Sequence, residues 1–145
     1  MIRTDNEYRE AVKRRDSEKL QIEEHRNQLV SQGIAPEMIE KAMQPYESFR
    51  MQLVEEIESY ERIKRGDIID LHNLEGIGQR LIGIRIYLGL SQRELAQRLG
   101  VHETQVSRDE KNEYHGITVE RVEEILTALD VKMTSSFEIP KRKAG

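Results

Sequence analysis

The sequence predicts a mainly α-helical protein: a long N-terminal helical hairpin, then a bundle of short helices, then a short strand near the C-terminus. Three observations predict it. Two long runs repeat apolar residues at alternating steps of three and four, and SQGIAPE separates them. A group of shorter amphipathic segments, each with its own capping residue, follows around LGLSQRELAQRLGV. Charged residues make up 34% of the 145 and aromatics 5%, with no tryptophan, so solvated helices must pack through Leu, Ile and Val.

In the first run Thr4 can cap, with Glu7 at capping-box spacing. Tyr8, Val12, Arg15, Lys19, Ile22, Arg26 and Leu29 form a heptad seam with basic residues in core-type slots. Such a seam is weak for a tight coiled coil and suits a partly open hairpin, because Lys and Arg bury their stems and keep their heads wet. Gly33 can end this helix and Pro36 can open the next. In the second run Ile39, Ala42, Tyr46, Phe49, Leu53, Glu56 or Ile57, Tyr60 and Ile63 keep the same rhythm, and Pro45 is expected to kink or split it near Gln44. Residues 1–65 thus read as an αα-hairpin for dimerisation or partner binding. Two helices bury little alone, so packing on a second copy or on the C-terminal part is expected. Tyr46, Phe49, Leu53, Ile57 and Tyr60 form the stripe that would serve as that interface or as the hairpin's own core.

Residues 66–73 read as a connector. Asn73 is the expected N-cap of a helix from Leu74 to Leu88, with Leu74, Ile77, Leu81, Ile84 and Leu88 inward. Gly76, Gly78 and Gly83 each cost it roughly 1 kcal/mol of helix propensity, so it needs tertiary packing. Gly89 ends it, and Ser91 with Glu94 forms a capping box for the next helix, whose buried face is Leu95, Ala96 and Leu99. Gly100 fits a left-handed turn. Val101 is a pivot, and a further helix starts near His102 with Val106 inward. NEYHG is a loop. Thr118 caps a last helix, with Val119, Val122, Ile125, Leu126 and Leu129 inward. Val131, Met133, Ser135, Phe137 and Ile139 then alternate with Lys132, Thr134, Ser136 and Glu138, a strand pattern. Its partner would be its two-fold mate or the 67–71 segment. Residues 140–145 are a basic tail.

Composition excludes several classes. With no cysteine there are no disulfides, thiolate nucleophiles or zinc-thiolate sites, which suits a cytoplasmic protein. No apolar run approaches the roughly 20 residues of a membrane span, and MIRTDNEYRE is not a signal peptide. His25, His72, His102 and His115 share no ligand spacing, so neither a metal nor a cofactor is expected. Carboxylates lie on helix faces beside Lys and Arg. GIGQRLIG follows no strand and has helical spacing, so no phosphate loop, nucleophile elbow or catalytic site is read here. The net charge of −4 argues against indiscriminate nucleic-acid binding, but its distribution is uneven. Residues 1–75 hold 12 basic against 17 acidic side chains, and residues 76–145 hold 11 against 10.

Two helices around a short glycine-containing turn form a helix-turn-helix, whose second helix can enter a DNA major groove. Ala96 lets the helices approach, Gly100 makes the turn, and Val101 and Val106 anchor the second helix. Its outer face offers Glu103, Thr104, Gln105, Ser107, Arg108, Lys111 and Asn112, and Arg93 stands at the start of the first helix.

RIYLGLSQRELAQRLGVHETQVSR resembles the Xre family of lambda-repressor-like helix-turn-helix proteins over about residues 77–130. The resemblance implies a five-helix domain at 74–130 that binds palindromic operators on double-stranded DNA as a homodimer. It implies that Gln92 contacts phosphate and steadies the recognition side chains, and that Glu103, Thr104 and Arg108 reach base edges. Arg at such a site favours guanine, whereas Glu103 can accept from cytosine, repel phosphate or orient Arg108. Arg85 and Glu110 match a structural ion pair. Asp109 departs from the family in a slot that is usually apolar, and the NEYHG loop differs from its usual short turn. VSRDEKNEYHG, with the hairpin and strand, resembles an antitoxin-like subgroup. Three functions follow: a dimeric repressor, an antitoxin that neutralises a toxin protein and represses its own operon, or a protein-interaction scaffold without DNA binding.

Overall fold

The computed structural model describes residues 1–68, 71–141 and 143. Six helices follow in order: α1 Asp5–Ser31, α2 Pro36–Lys64, α3 Ile77–Tyr87, α4 Gln92–Leu99, α5 Glu103–Lys111 and α6 Val119–Ala128. Among the described residues there is no strand.

Helix α1 begins at the expected capping box: Glu7 N donates to Thr4 Oγ1 at 3.1 Å, and the Glu7 carboxylate accepts from Thr4 N. The turn at Gly33 sends α2 back antiparallel to α1. Pro45 does not split α2. It is exposed, as is Lys41, so the carbonyl that loses its helical donor lies on the solvent side.

The hairpin seam differs in phase from the expected one. Ile39, Met43, Leu53, Ile57 and Tyr60 face α1, whereas Ala42 and Phe49 point outward. Arg50 takes the inward slot beside Phe49. On α1 this middle section carries Arg15, Asp16 and Lys19, and the Arg50 guanidinium helps to lower the Asp16 carboxyl, after the bond from Arg15. Further out, Arg26 bridges Glu40 and Glu47 across the helices, and the His25 and Tyr46 rings meet edge to face at 5.5 Å.

The base of the hairpin is a tyrosine cluster. The Tyr8 and Tyr60 rings stack at 5.0 Å, Tyr8 Oη donates to Glu61 Oε1 at 2.7 Å, and Tyr60 Oη donates to Asp5 Oδ1 at 2.6 Å. Burial, then the bond to Asp5, raises the Tyr60 phenol, and the same bond, with Lys64, lowers Asp5.

This base packs on the C-terminal helices. Ile2, Ile57 and Tyr60 join Leu81, Ile82, Ile86, Leu95, Ala96, Val106, Tyr114, Ile125 and Leu129 in one core. Each of the large apolar side chains contributes about 1.5–3 kcal/mol on burial. Residues 74–130 therefore hold four helices where the resemblance implies five, and the hairpin completes their core.

Three local expectations need correction. The third helix starts at Ile77, because Asn73, Leu74 and Gly76 have φ of 51°, 62° and 71°, outside the helical region. Leu74 and Leu88, expected inward, are exposed. Val119 is 67% exposed, since it lies in the first turn of α6, away from the face that carries Ile125 and Leu129. The strand over 131–139 is not formed in the single chain, where no described residue pairs with it. Of the alternative partner 67–71, Ile69 and Asp70 lie outside the described residues, as do Arg142, Ala144 and Gly145 of the tail.

Candidate nucleic-acid interface

Helices α4 and α5 meet through Gly100, Val101 and His102. Ser91 caps α4, and its amide and hydroxyl both donate to Glu94 Oε2, at 2.7 and 2.8 Å. Those bonds, the backbone one first, lower the Glu94 carboxyl. Gly100 sits at φ 67°, and Val101 N donates to Ala96 O at 3.0 Å, closing the helix end as a left-handed glycine does. Ala96, 2% exposed, carries no side chain beyond Cβ to hold α5 away. His102 then caps α5, its Nδ1 accepting from Thr104 N at 3.3 Å, and Val106 pins the helix to the core.

The end of α5 is held by a buried network. Arg85 Nε and Nη2 donate to the two oxygens of Glu110 at 2.5 and 2.6 Å, a bidentate pair with both side chains almost fully enclosed. The same guanidinium donates to Leu90 O at 2.7 Å and to Arg3 O at 3.0 Å. Gln92 Nε2 donates to Glu110 Oε2 at 2.7 Å. The Glu110 carboxylate thus joins α3, α4 and α5, and the Arg85 guanidinium adds the N-terminal segment. Arg98 adds a second tie, from Nη1 to Ala128 O at 3.0 Å.

Asp109 is accommodated by polar partners. It is half-buried, its Oδ1 accepts from Gln105 Nε2 at 2.9 Å, and its carbonyl accepts from Tyr114 N at 2.8 Å. The NEYHG loop turns through positive φ at Glu113, Tyr114 and Gly116 and buries the Tyr114 ring, whose phenol burial raises. This loop packs so closely on α3 that a Cβ on Gly78 would lie 1.9 Å from Glu113 O. Gly78, read from sequence only as a weak helix former, is the contact that seats the loop.

With its inner side fixed, α5 exposes Glu103, Thr104, Gln105, Ser107, Arg108 and Lys111, and Asn112 follows at its C-cap, also exposed. Arg93 is exposed at the start of α4, and Gln92 beside it is half-buried. Glu103 and Arg108 make no ion pair with each other. The α5 residues thus share the exposed side of one helix, with Thr104 Oγ1 at 3.0 Å from His102 Nδ1 and Gln105 engaged by Asp109, and on α4 Gln92 is engaged by Glu110.

The candidate interface stripe on α2 divides. Ile57 and Tyr60 are 1% and 4% exposed inside the protein's own core and cannot meet a partner, Leu53 is half-buried, and Tyr46 and Phe49 are 52% and 67% exposed. Among the described residues no group of three His, Asp or Glu side chains is placed to hold a metal, and no helix is long and apolar enough to cross a membrane.

This geometry defines a helix-turn-helix with a buried, cross-braced inner face and a polar outer one. Residues 84–135 match a helix-turn-helix family model. No curated protein and no solved structure matches the chain.

Proposed function

We propose that the protein is a sequence-specific transcriptional repressor that binds an inverted-repeat operator as a homodimer. Residues 74–130 are the DNA-binding unit, and the hairpin of residues 1–65 is an accessory unit seated on it. One observation carries this reading: the outer face of α5 is polar, with Ser107, Arg108, Lys111 and Asn112 exposed and Thr104 held toward the cap by His102, while its inner face is locked by Arg85, Gln92 and Glu110. A rigid helix that presents Arg, Lys, Thr, Ser and Asn is suited to base edges and phosphates. Arg108 and Thr104 read bases, Arg93, Lys111 and Asn112 touch the backbone, and Gln92 positions α4 against phosphate. A two-fold dimer spaces two such helices by about one DNA turn, roughly 34 Å.

The test is fluorescence anisotropy of the full chain on DNA from upstream of its own gene, beside a scrambled duplex at physiological salt. Specific binding exceeds non-specific binding by about 10³ or more. Such a preference supports the repressor. Equal, weak binding to that duplex and to a randomised-sequence selection pool favours the interaction scaffold. Co-purification of a neighbouring gene's product, together with retained operator binding, assigns the antitoxin role.

A further inference from the structure

Residues 131–139, VKMTSSFEI, leave α6 without a strand partner among the described residues. Asp130 turns the backbone at φ 56°, Val131 N donates back to Leu126 O at 2.9 Å, and the chain then runs exposed to Pro140. Phe137 is 89% exposed and Ile139 84%. These are strand-forming side chains on one face of an alternating segment, open to water.

The segment is complementary to itself. Placed antiparallel to a second copy with Ser135 opposite Ser135, it sets Val131 against Ile139, Met133 against Phe137 and Thr134 against Ser136. Lys132 faces Glu138, and two-fold symmetry makes that ion pair twice. Neighbouring registers lose this match. Centring on Thr134 puts Glu138 against Asp130, and centring on Ser136 puts Lys132 against Pro140. Centring between residues puts apolar against polar, as Val131 against Glu138. The ends of the segment fit the same register: Asp130 turns away at one, and Pro140, which cannot donate to a ladder, stops the other.

We propose that residues 131–139 pair with the same segment of a second copy as a two-stranded antiparallel ribbon, and that this ribbon joins the dimer. The inference rests on the dimeric reading above and assigns its contact. The chain has no native cysteine, so cross-linking can be read cleanly. In the ribbon two copies of residue 135 lie directly opposite, about 4.5–5.5 Å between Cα atoms, within disulfide reach. Residue 132 lies about 20 Å from its own mate, at roughly 3.4 Å per residue. Mild oxidation of full-length Ser135→Cys should give a covalent dimer, at least tenfold faster than Lys132→Cys. Sedimentation equilibrium provides a second arm. Lys132→Glu and Glu138→Lys should each weaken self-association about tenfold, and mixing the two variants should restore it, because every pair is then again of opposite charge. Both positions are exposed, so the fold of each variant is retained and is checked by circular dichroism. Equal cross-linking at 132 and 135, or a mixture no tighter than its components, overturns the ribbon. Operator binding that persists without Ser135→Cys cross-linking overturns the ribbon alone. Cross-linking without any operator binding upholds the ribbon and overturns the repressor.

Discussion

Gln92 and Arg85 share one oxygen of Glu110, at 2.7 and 2.6 Å, so the first residue of α4 and a buried cation of α3 are held by the same carboxylate of α5. Glu110 is 0% exposed and Arg85 2%, so neither charge has water to fall back on. Both charges are satisfied only together, which makes this network the hinge between the stability of the domain and the pose of its outer helix.

Removing one member should therefore be costly. Arg85→Ala or Glu110→Ala leaves a buried charge unpaired and is expected to lower stability by about 3–5 kcal/mol in urea denaturation. Gln92→Ala removes a neutral donor to that carboxylate, at about 1.5–3 kcal/mol. A loss below about 1 kcal/mol for Arg85→Ala would mean that water reaches Glu110 in solution and that the brace is not closed.

Two glycines of α3 should respond in opposite directions. A Cβ on Gly78 meets Glu113 O at 1.9 Å, a backbone atom that cannot swing aside, so Gly78→Ala should force the loop off α3 and cost more than about 2 kcal/mol. At Gly83 the nearest atom is Ile63 Cγ2 at 3.6 Å, an ordinary contact. There alanine gains helix propensity, and Gly83→Ala should stabilise by about 0.5–1 kcal/mol. Thermal midpoints that move the same way for both variants contradict this account of the loop seat.

The same residues show what the sequence made legible. The capping boxes at Thr4 and Ser91, the glycine turn at Gly100 and the inward Val106 are local chemistry, and each forms where spacing places it. The phase of the hairpin was not local. Ala42 against Met43 and Phe49 against Arg50 are adjacent choices in one rhythm, and the choice is made only when α2 packs on α1. The start of α3 was hidden for a similar reason: Leu74 continues the apolar period, but its backbone has φ 62°. Gly78 carried only a propensity signal, since its closeness to Glu113 exists only after α3 and the loop meet. The outer face of α5 could be read in advance because a capped helix with one buried valine has only one side left to expose.

Alkaline pH should destabilise the protein through its tyrosines. Burial raises the Tyr114 phenol above its ordinary 10.0, and burial and the bond to Asp5 do the same for Tyr60. Above pH 10 the unfolded chain releases these protons while the folded chain keeps them, so unfolding is favoured as pH rises through the folded values. The stabilisation is fully present below pH 10. Urea midpoints measured between about pH 9 and 11.5 should fall, and Tyr114→Phe should flatten the fall. An unchanged slope in that variant would show that the Tyr114 hydroxyl meets water in the folded protein.

Arg108 and Gln92 should separate base reading from positioning. Arg108 is exposed on the outer face of α5 and, among the described residues, has no acidic partner, so on the proposed reading it can offer its planar donors to a guanine edge. Arg108→Ala should cost about 1–3 kcal/mol on the operator and relax preference at one base pair in each half-site, with little loss on scrambled DNA. Gln92 already spends one amide proton on Glu110, and on the proposed reading it holds the start of α4 against the DNA backbone. Gln92→Ala should weaken operator and scrambled duplex alike, leaving the ratio between them unchanged. Both are measured by anisotropy on a set of single-base operator variants, with salt held fixed because phosphate contacts dominate the salt slope. A uniform loss for Arg108→Ala assigns it to phosphate, and a changed base preference for Gln92→Ala assigns that side chain to the groove.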